Sequence, residues 1–490
     1  MSLIGLVGIN SRYPKHNPGI LEYLIFRFPE ISTNYQISME KCLKFGLLIS
    51  GLFLFANSTV AAGFAIQENS VSGLGNAFAG GAAAADDNSV IFTNPAALTL
   101  IETTQAQAGF HIITANAEFA NTGTTTFGVP TQGGNSESEE TAFVPNLYYS
   151  QPISENWSAG IGVTAPFGLT TEWGNKWVGR YIADKSALKD VNIQPTLAYK
   201  VNDKLSIGVG LDIALVSAEL TNAVDMGLAL LNAVNSGAIP AAAIPAPILG
   251  DVQANIGGTK YDGFFEVEGD TIGYGFNIGA LYQVDDKTRL GIHYRSTVDL
   301  ELEGDVDFTV GALESILGGV FPDGGGTVDL ELPSILNLSF FHQANEKWAF
   351  MADFQRTEWS TFENLIIEFE QPTPPDSIVP EKWEDVWRYS AGVNYQATDN
   401  VMLRAGIALD ESPVPGPRYR SPRIPDADRF WYSCGLEWVL SARMTLNAAA
   451  TYITVDDPLL DNDTHSAGQF LKGTLDASVT IFSANLVINF

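Results

Sequence analysis

Thr480-Ile481-Phe482-Ser483-Ala484-Asn485-Leu486-Val487-Ile488-Asn489-Phe490 is the last stretch of the 490-residue chain, and its alternation decides the fold. Every second side chain from Phe482 to Phe490 is apolar, whereas Ser483, Asn485 and Asn489 stand on the opposite face. One face suits lipid and the other suits a polar lumen, as in a strand of a membrane β-barrel. A strand of a soluble β-sandwich alternates in the same way, so the connections between strands must separate the two architectures.

The connections from residue 105 onward alternate strictly between short and long. Six are turn-like, namely Pro152-Ile153-Ser154-Glu155-Asn156, Asn202-Asp203-Lys204, Asp285-Asp286-Lys287, Asn345-Glu346, Thr398-Asp399-Asn400 and Ser441-Ala442. The long ones lie near 120–140, 171–187, 220–268, 304–327, 359–383, 412–427 and 457–474. Short turns on one side and long loops on the other are typical of membrane barrels, and a Greek-key sandwich has no reason to alternate. The sequence therefore predicts an all-β fold, a 14-stranded antiparallel transmembrane β-barrel over residues 105–490.

Charge and composition exclude several function classes. The chain has 26 Lys and Arg against 56 Asp and Glu, a net charge of −30, so it lacks the basic face that a nucleic-acid binder needs. Its two cysteines cannot form a disulfide framework or a zinc site, and it contains neither a His-Glu-x-x-His motif nor the Gly-Lys of a P-loop. We therefore predict no enzyme activity, no cofactor and no metal site. A lipid hydrolase stays open as an alternative, because its Ser–His pair could be brought together by folding alone.

Residues 39–61 carry the features of a secretory signal peptide. Two lysines precede the apolar run 45–56, which is shorter than the roughly 20 residues of a spanning helix, and small residues follow. The mature chain is expected to begin at Ala62, with cleavage after Ala62 as the near alternative. Residues 1–38 are then either an upstream start that was assigned wrongly or the front of an unusually long signal peptide.

Residues 62–104 lack strand alternation and are rich in glycine and alanine. Small side chains let a segment pack tightly inside a lumen, and apolar residues such as Phe64 argue against a fully solvated periplasmic extension. Pro95 has a fixed φ and restricts Asn94, so this pair is expected to fix the bend before the first strand. We predict that residues 62–104 form an N-terminal hatch that plugs the lumen.

A series of short motifs runs in a fixed order along residues 62–490. It comprises Ala62-Gly63-Phe64, Ser72-Gly73-Leu74-Gly75, Asp86-Asp87, Asn94-Pro95-Ala96, Ala165-Pro166-Phe167-Gly168-Leu169, Trp177-Val178-Gly179-Arg180-Tyr181, Gly279-Ala280-Leu281-Tyr282, Tyr294-Arg295-Ser296, Arg404-Ala405-Gly406, Asp410-Glu411-Ser412-Pro413-Val414-Pro415 and Pro425-Asp426-Ala427-Asp428-Arg429. Together these motifs resemble the outer-membrane long-chain fatty-acid transporter (FadL-type) family, which also includes aromatic hydrocarbon transporters. The resemblance covers essentially the whole predicted mature chain.

Two long connections contain apolar residues at roughly helical spacing. Such helices could simply pack on each other or on the barrel rim, or they could form a groove that is open to the outside. The resemblance implies a groove between these two loops as the first landing site for a lipophilic substrate. The candidate groove residues are Leu228, Leu231 and Val234 in the third long connection, and Ile316, Leu317 and Phe321 in the fourth.

The predicted third strand contains Pro166, Phe167 and Gly168 where a continuous ladder is expected. Proline cannot donate a ladder hydrogen bond, and glycine weakens a strand or marks a bulge. The alternative is a strand that ends at Ala165. The resemblance implies a kink here that opens the wall laterally towards the outer leaflet.

Arginines cluster in the sixth long connection, at Arg418, Arg420, Arg423 and Arg429. Within this cluster, Arg418 and Arg420 are the candidates for holding a carboxylate head group. The alternative is a salt-bridge network among loops or a contact with lipopolysaccharide phosphates. The resemblance implies a basic residue at the foot of the third long connection, but that stretch reads Leu220-Thr221-Asn222. Lys382 in the fifth long connection is a substitute candidate. The missing base also keeps uncharged hydrocarbons open as substrates.

The leading interpretation is a passive outer-membrane channel for long-chain fatty acids, which captures its substrate in an apolar groove and releases it sideways at the kinked third strand. An uptake channel for aromatic or alkane hydrocarbons is the alternative, and a water-filled general porin is a further one. The expected partners are a lipophilic small molecule, outer-membrane lipids and lipopolysaccharide, with no nucleic acid. The barrel is expected to be monomeric and to lie in the bacterial outer membrane.

Overall fold

The computed structural model describes residues 63–464 and 468–490. The predicted upstream segment, signal peptide and cleavage site lie outside the described residues. Within the described chain, fourteen antiparallel strands form a closed barrel, as the sequence predicts, because β1 pairs with both β2 and β14. The strands are β1 Gln105–Asn121, β2 Ser136–Pro152, β3 Trp157–Thr164 with Gly168–Glu172, β4 Lys185–Asn202, β5 Leu205–Asp225, β6 Asp262–Asp285, β7 Thr288–Arg295 with Val298–Thr309, β8 Gly324–Leu332 with Ile335–Gln343, β9 Trp348–Thr357 with Asn364–Phe369, β10 Ser377–Pro380 with Val386–Thr398, β11 Val401–Asp410, β12 Arg429–Ser441, β13 Met444–Val455 with Leu459–Asn462, and β14 Gln469–Asn489.

The six predicted short turns all join neighbouring strands on one side of the barrel. The turn after β4, for example, leaves only two residues between Asn202 and Leu205. The seven long connections lie on the opposite side, and the first contains a small hairpin, Thr125–Thr126 with Val129–Pro130. Several strands extend beyond the predicted boundaries, so β5 and β6 form a tall hairpin whose ladder reaches Asp225↔Asp262.

The alternation in β14 follows the two environments of a barrel wall. Phe482 and Phe490 are 59% and 72% exposed on the outer face, whereas Ile481, Ser483 and Asn485 are buried on the inner face. The Asn485 amide accepts a hydrogen bond from Asn447 on β13. The outer apolar band and the hydrogen-bonded polar interior therefore match the sequence pattern.

Residues 63–104 are compact and mostly buried against the inner face of the barrel. They form α1 Val71–Leu74, α2 Val90–Thr93 and a 3₁₀ helix, Pro95–Leu100. The Asn76 side chain donates to the backbone oxygens of Val393 and Ala405, which lie on β10 and β11. These contacts support the predicted hatch.

Asn94 holds the last bend of this segment. Its side-chain oxygen accepts from the N–H of Ala96, and its Nδ2 donates to the Ala82 oxygen at 2.7 Å and to the Ala280 oxygen on β6 at 3.1 Å. Gly279 on β6 allows this approach, since a Cβ there would lie 2.0 Å from the Asn94 Oδ1. The bend can therefore pack against the wall only if position 279 is a glycine, which has no side chain.

The long connections carry short helices. The third contains α3 Met226–Asn235, a 3₁₀ turn at Ala241–Ala243 and α4 Ala246–Ala254. The fourth contains a 3₁₀ turn at Gly311–Leu313 and α5 Glu314–Leu317. Phe308 precedes these helical turns, because it still belongs to β7 and is held by its pairing with β6. No helix among the described residues is long and apolar enough to cross a membrane.

Candidate functional site

A cavity of about 340 Å³ opens among the third, fourth and fifth long connections. Its lining is mainly apolar, with a few polar groups at one end. Shape and chemistry of this kind are typical of a small-molecule site. The lining residues are Tyr181, Ile182, Asn222, Ala223, Val224, Asp225, Leu228, Ala229, Asn232, Phe265, Phe308, Phe321, Leu365, Ile367, Phe369, Pro374, Ser377, Val379, Arg423 and Gln469.

Helix α3 builds one wall of this cavity. The Asp225 carboxylate caps the helix by accepting from the N–H of Leu228 at 2.8 Å. Met226 and Leu230 are buried in a cluster with Leu317 of α5, so the opposite side of the helix is fixed by packing. The cap and the buried side together direct Leu228 to the cavity.

The predicted groove residues divide into two groups. Leu228 and Phe321 line the cavity. Leu231, Val234 and Ile316 are instead partly buried against the loop cluster, in which Leu317 is fully buried. Phe321 also packs against the loop cluster, so loop packing and groove formation, which the sequence could not separate, overlap in this region.

Phenylalanine rings form the deeper wall of the cavity. The Phe308 ring centroid lies 5.1 Å from that of Phe265 and 5.4 Å from that of Phe321. Phe369 packs edge-on against Phe265 at 6.0 Å. Aromatic pairs at these distances add rigidity to an apolar surface.

Arg423 places a guanidinium at the polar end of the cavity. Its Nη2 donates to the Asn222 Oδ1 at 2.8 Å, and its Nη1 donates to the Ser186 hydroxyl at 3.2 Å. Burial lowers the pKa of Arg423 to about 10, while the carboxylates of Glu381 and Asp184 act in the opposite direction. No carboxylate in the described chain lies within ion-pair distance of this group, so it can accept an anionic ligand.

The three predicted head-group residues lie outside the cavity lining. Arg418 is exposed and pairs with Asp463 at 2.7 Å. Arg420 donates to the backbone oxygens of Asp426 and Leu459, both at 2.8 Å. Lys382 lies over the Tyr419 ring at 5.8 Å. Another member of the same arginine cluster, Arg423, is the one turned towards Asn222, and the sequence gave no sign of this.

A cluster of buried apolar side chains continues below the cavity. Phe265 and Ile367 belong both to the cavity lining and to this cluster. At its other end the cluster includes Phe64 and Phe167. Apolar contacts therefore run from the loops to the third strand without a polar layer between them.

Phe64 is enclosed by aromatic rings in this cluster, with 2% of its surface exposed. Its ring centroid lies 4.6 Å from Trp359, 5.6 Å from Phe362 and 5.8 Å from Trp383. The preceding Gly63 has φ +60°, and a Cβ there would lie 2.6 Å from the Trp383 ring. Glycine at 63 therefore lets the chain turn so that Phe64 closes the aromatic cage.

The β3 strand is interrupted between its two segments, at residues 165–167. The Pro166 oxygen accepts from the N–H of Ile66 at 2.7 Å, and the N–H of Gly168 donates to the Phe64 oxygen at 2.9 Å. Ala65 and Phe167 form an isolated antiparallel bridge. The backbone of residues 166–168, which does not pair with β2, thus pairs with the N-terminal segment.

The interruption leaves a break in the ladder between β2 and β3. Their paired residues run only from Pro152↔Ser158 to Leu147↔Val163. Beyond it, Gly168–Glu172 pairs with β4 alone. The two strands meet again where the N–H of Glu172 donates to the Ser138 hydroxyl at 3.0 Å. This bounded interruption of the ladder, the β2–β3 window, lies next to Phe64.

This arrangement can hold an elongated apolar molecule with one polar end. Among residues 63–464 and 468–490, no three His, Cys, Asp or Glu side chains lie together in a way that could hold a metal ion. The chemistry that the site offers is apolar contact, aromatic contact, a single guanidinium and a few other polar groups, among them the helix-capping carboxylate of Asp225.

The chain was compared with known protein families, curated proteins and solved structures. The profile of the family described as outer membrane protein transport protein (OMPP1/FadL/TodX) matches residues 52–490. The long-chain fatty acid transport protein of Escherichia coli O6:H1 is 29% identical over 409 residues, which are 82% of this chain and 88% of that protein.

Two solved structures show the same fold. A Pseudomonas aeruginosa FadL homologue aligns with a TM-score of 0.77 at 24% identity, over 88% of this chain and 100% of that one. The Pseudomonas putida toluene transporter TodX aligns with a TM-score of 0.63 at 19% identity, over 85% of this chain and 97% of that one. The 14-stranded barrel is therefore an architecture that these proteins share with this chain.

Proposed function

We propose, from the premise that this chain belongs to the outer membrane protein transport family (OMPP1/FadL/TodX), that it takes up long-chain fatty acids passively across the outer membrane. The family assignment makes the chain an outer-membrane transport protein for lipophilic small molecules and not an enzyme. The single observation that carries the finer proposal is the apolar cluster that joins the loop cavity to the interrupted strand.

Capture takes place in the cavity among the long connections. The acyl chain lies along Leu228, Phe308 and Phe321, where each buried CH₂ contributes about 0.8 kcal/mol. The carboxylate lies at the guanidinium of Arg423. This arginine supplies, from the sixth connection, the base that is missing from Leu220-Thr221-Asn222, since its Nη2 contacts Asn222 directly.

Transfer requires that Phe64 leave its aromatic cage. In the closed arrangement this ring fills the space between Trp359 and the β3 interruption. Displacement of residues 63–66 would break their pairing with Pro166 and Gly168, and so open the path and the wall together. Phe64 thus acts as the gate of the proposed route.

Release takes place sideways through the window between β2 and β3. A long acyl chain gains nothing from an aqueous periplasm, because each exposed CH₂ costs about 0.8 kcal/mol relative to lipid. A window in the wall lets the chain move from cavity to cluster to bilayer without full hydration. The water-filled porin is disfavoured, since an apolar cluster fills the route.

Uncharged hydrocarbons are the second candidate substrates. The observation in their favour is that Arg423 is the only Lys or Arg among the residues lining the cavity, so most of the lining would suit a neutral ligand equally well. Long-chain fatty acids are preferred because a buried guanidinium without a carboxylate partner is costly unless an anion uses it.

Competition binding tests the choice between the two substrates. Purified protein in detergent is loaded with a fluorescent fatty acid and titrated with oleate or with toluene. We expect oleate to displace the probe at much lower concentration than toluene, and Arg423→Met to reduce this preference. Stronger displacement by toluene in the wild type would transfer the assignment to hydrocarbons.

A further inference from the structure

A second cavity of about 380 Å³, the wall groove, opens on the outer face of the barrel over β6, β7 and β8. Its lining includes two neighbouring rows of side chains that run across these strands, namely Tyr282, Leu290 and Phe340 in one row and Ala280, Ile292 and Leu338 in the next. Apart from Ala280, these side chains are 38–45% exposed, so they belong to the apolar band that faces lipid. The transport route described above does not use this groove.

Ala280 gives the wall groove its depth. Its cross-strand neighbours on the outer face are Ile207 on β5 and Ile292 on β7. Phe354 on β9 lies opposite Leu338 and closes the far side. A methyl group among these larger side chains leaves a space that no described side chain fills. Atoms around such a space lack dispersion contacts, and in a bilayer an acyl chain is the group that supplies them.

The wall groove begins close to the level of the lipid head groups. Trp348 directly follows the β8–β9 turn, is 39% exposed, and packs on Tyr395 with ring centroids 4.5 Å apart. Such rings collect at the membrane–water interface. Leu290 is three residues from Lys287 in the β6–β7 turn, which is about 10 Å at the rise of a strand. The groove therefore lies in the leaflet on the short-turn side, which is the periplasmic leaflet of such a barrel.

Two turns beside the groove carry exposed charges of both signs. They are Asp286-Lys287 between β6 and β7, and Glu346-Lys347 between β8 and β9. The turns are neighbours, because the N–H of Gln343 at the end of β8 donates to the Lys287 oxygen at 2.8 Å. A further carboxylate, that of Asp285, is engaged in its own turn, where it accepts from the Lys287 N–H at 2.9 Å. This charged rim therefore offers two ammonium groups and two carboxylates to a ligand.

We propose that the wall groove and the charged rim bind a glycerophospholipid of the periplasmic leaflet whose head group contains a phosphate and a primary ammonium. One acyl chain lies in the groove beside Ala280. The phosphate lies at Lys287 and Lys347, because a lysine binds phosphate as a point charge. The ammonium donates to the carboxylate of Asp286 or Glu346.

The head group decides which lipid binds. Lipid tails are as apolar as leucine, so the groove accepts an acyl chain of any phospholipid. A purely anionic head group leaves both rim carboxylates without a partner, and a choline head group has no N–H to donate to them. The site does not involve the loop cavity, so it is independent of whether the transported molecule is a fatty acid or a hydrocarbon.

Native mass spectrometry of the purified protein in detergent tests this inference. The probes are phosphatidylethanolamine, phosphatidylglycerol and phosphatidylcholine with the same two oleoyl chains, each at equal concentration. We expect the fraction bound to phosphatidylethanolamine to exceed the other two about fivefold, as for a few exposed charge contacts. Asp286→Asn with Glu346→Gln should remove this preference and raise phosphatidylglycerol binding. Ala280→Phe, which fills the groove from the lipid side, should reduce the binding of all three lipids.

The matched controls are Asp399→Asn, an exposed carboxylate at another short turn, and Ala484→Phe on the outer face of β14, and both should bind as the wild type does. Equal binding of the three lipids to the wild type, or a preference that survives Asp286→Asn with Glu346→Gln, would overturn the head-group assignment. Binding that Ala280→Phe leaves unchanged would place the lipid elsewhere. A dimer that Ala280→Phe dissociates would make a second copy of the chain the occupant, and displacement of the lipid by excess oleate would assign the groove to the transported molecule.

Discussion

The β1–β14 seam and the β2–β3 seam join strands of the same kind, but the ladder of the first is continuous and that of the second is interrupted. All 17 residues of β1 pair with β14 without a shift in register, so this seam is sealed along its length. The β2–β3 ladder stops at Leu147↔Val163, and the backbone at Pro166 turns inward to pair with residues 64–66. The contrast teaches that the ladder of a barrel wall is interrupted where a strand exchanges its wall partner for a partner inside the lumen.

The largest effect, on oleate uptake, is expected from substitutions that make the β2–β3 ladder continuous like the β1–β14 ladder. Pro166→Val with Gly168→Val restores a ladder donor and a β-branched strand residue on β3, and so favours pairing with β2 over pairing with the N-terminal segment. Uptake of labelled oleate by cells should fall steeply, by about tenfold or more, while surface expression stays normal. The matched control is Ala484→Val on β14, which should leave uptake unchanged. If the double variant transports normally, the substrate does not leave through this seam.

Removal of the N-terminal segment, which pairs with β3 inside the lumen, should have the next largest effect, and this effect is on ion conductance. Deletion of residues 62–104 takes away the segment whose Asn76 and Asn94 bind the wall strands β6, β10 and β11. Conductance in planar bilayers should rise sharply because the lumen of a 14-stranded barrel is then no longer filled. Conductance equal to that of the full-length protein would place the plug elsewhere.

Arg423 should matter much more than Arg418, although both belong to one connection. The Arg423→Met variant removes a buried charged donor, for which about 1.5–3 kcal/mol is typical, and should weaken oleate binding about ten- to hundredfold. Toluene binding, measured by the same displacement assay, should change little. Equal losses for both ligands would mean that Arg423 shapes the cavity and does not bind the head group.

The smallest effect is expected at Arg418. Its ion pair with Asp463 is exposed to solvent, and exposed pairs contribute roughly 0–1 kcal/mol. Arg418→Gln should therefore change oleate affinity by no more than about fivefold in that assay. A loss as large as that of Arg423→Met would indicate that the head group binds at the exposed Arg418.

The barrel could be predicted from sequence because its signals are local. Period-2 alternation, as in β14, and turn residues such as Asn202-Asp203-Lys204 depend on neighbours within a few positions. The change of backbone partner at Pro166 could be predicted only in part. A proline shows that a ladder donor is missing, but it does not show that residues 64–66 pair with this part of β3.

The polar end of the cavity could not be predicted in the same way. Arg423 meets Asn222 across 201 positions of the chain, and no local pattern separates it from Arg418 or Arg420. Sites assembled from distant loops need the fold before their members can be assigned.

The most direct test of lateral release is photocrosslinking of a fatty acid that carries a diazirine near its methyl end, in outer-membrane vesicles containing the protein. Peptide mapping should find label on residues 139–146 of β2 and on residues 165–170 around the β3 interruption. Excess oleate should compete with this labelling, and the Pro166→Val, Gly168→Val variant should abolish it. Label confined to residues 94–104, at the short-turn end of the N-terminal segment, would contradict lateral release and indicate a route straight through the lumen.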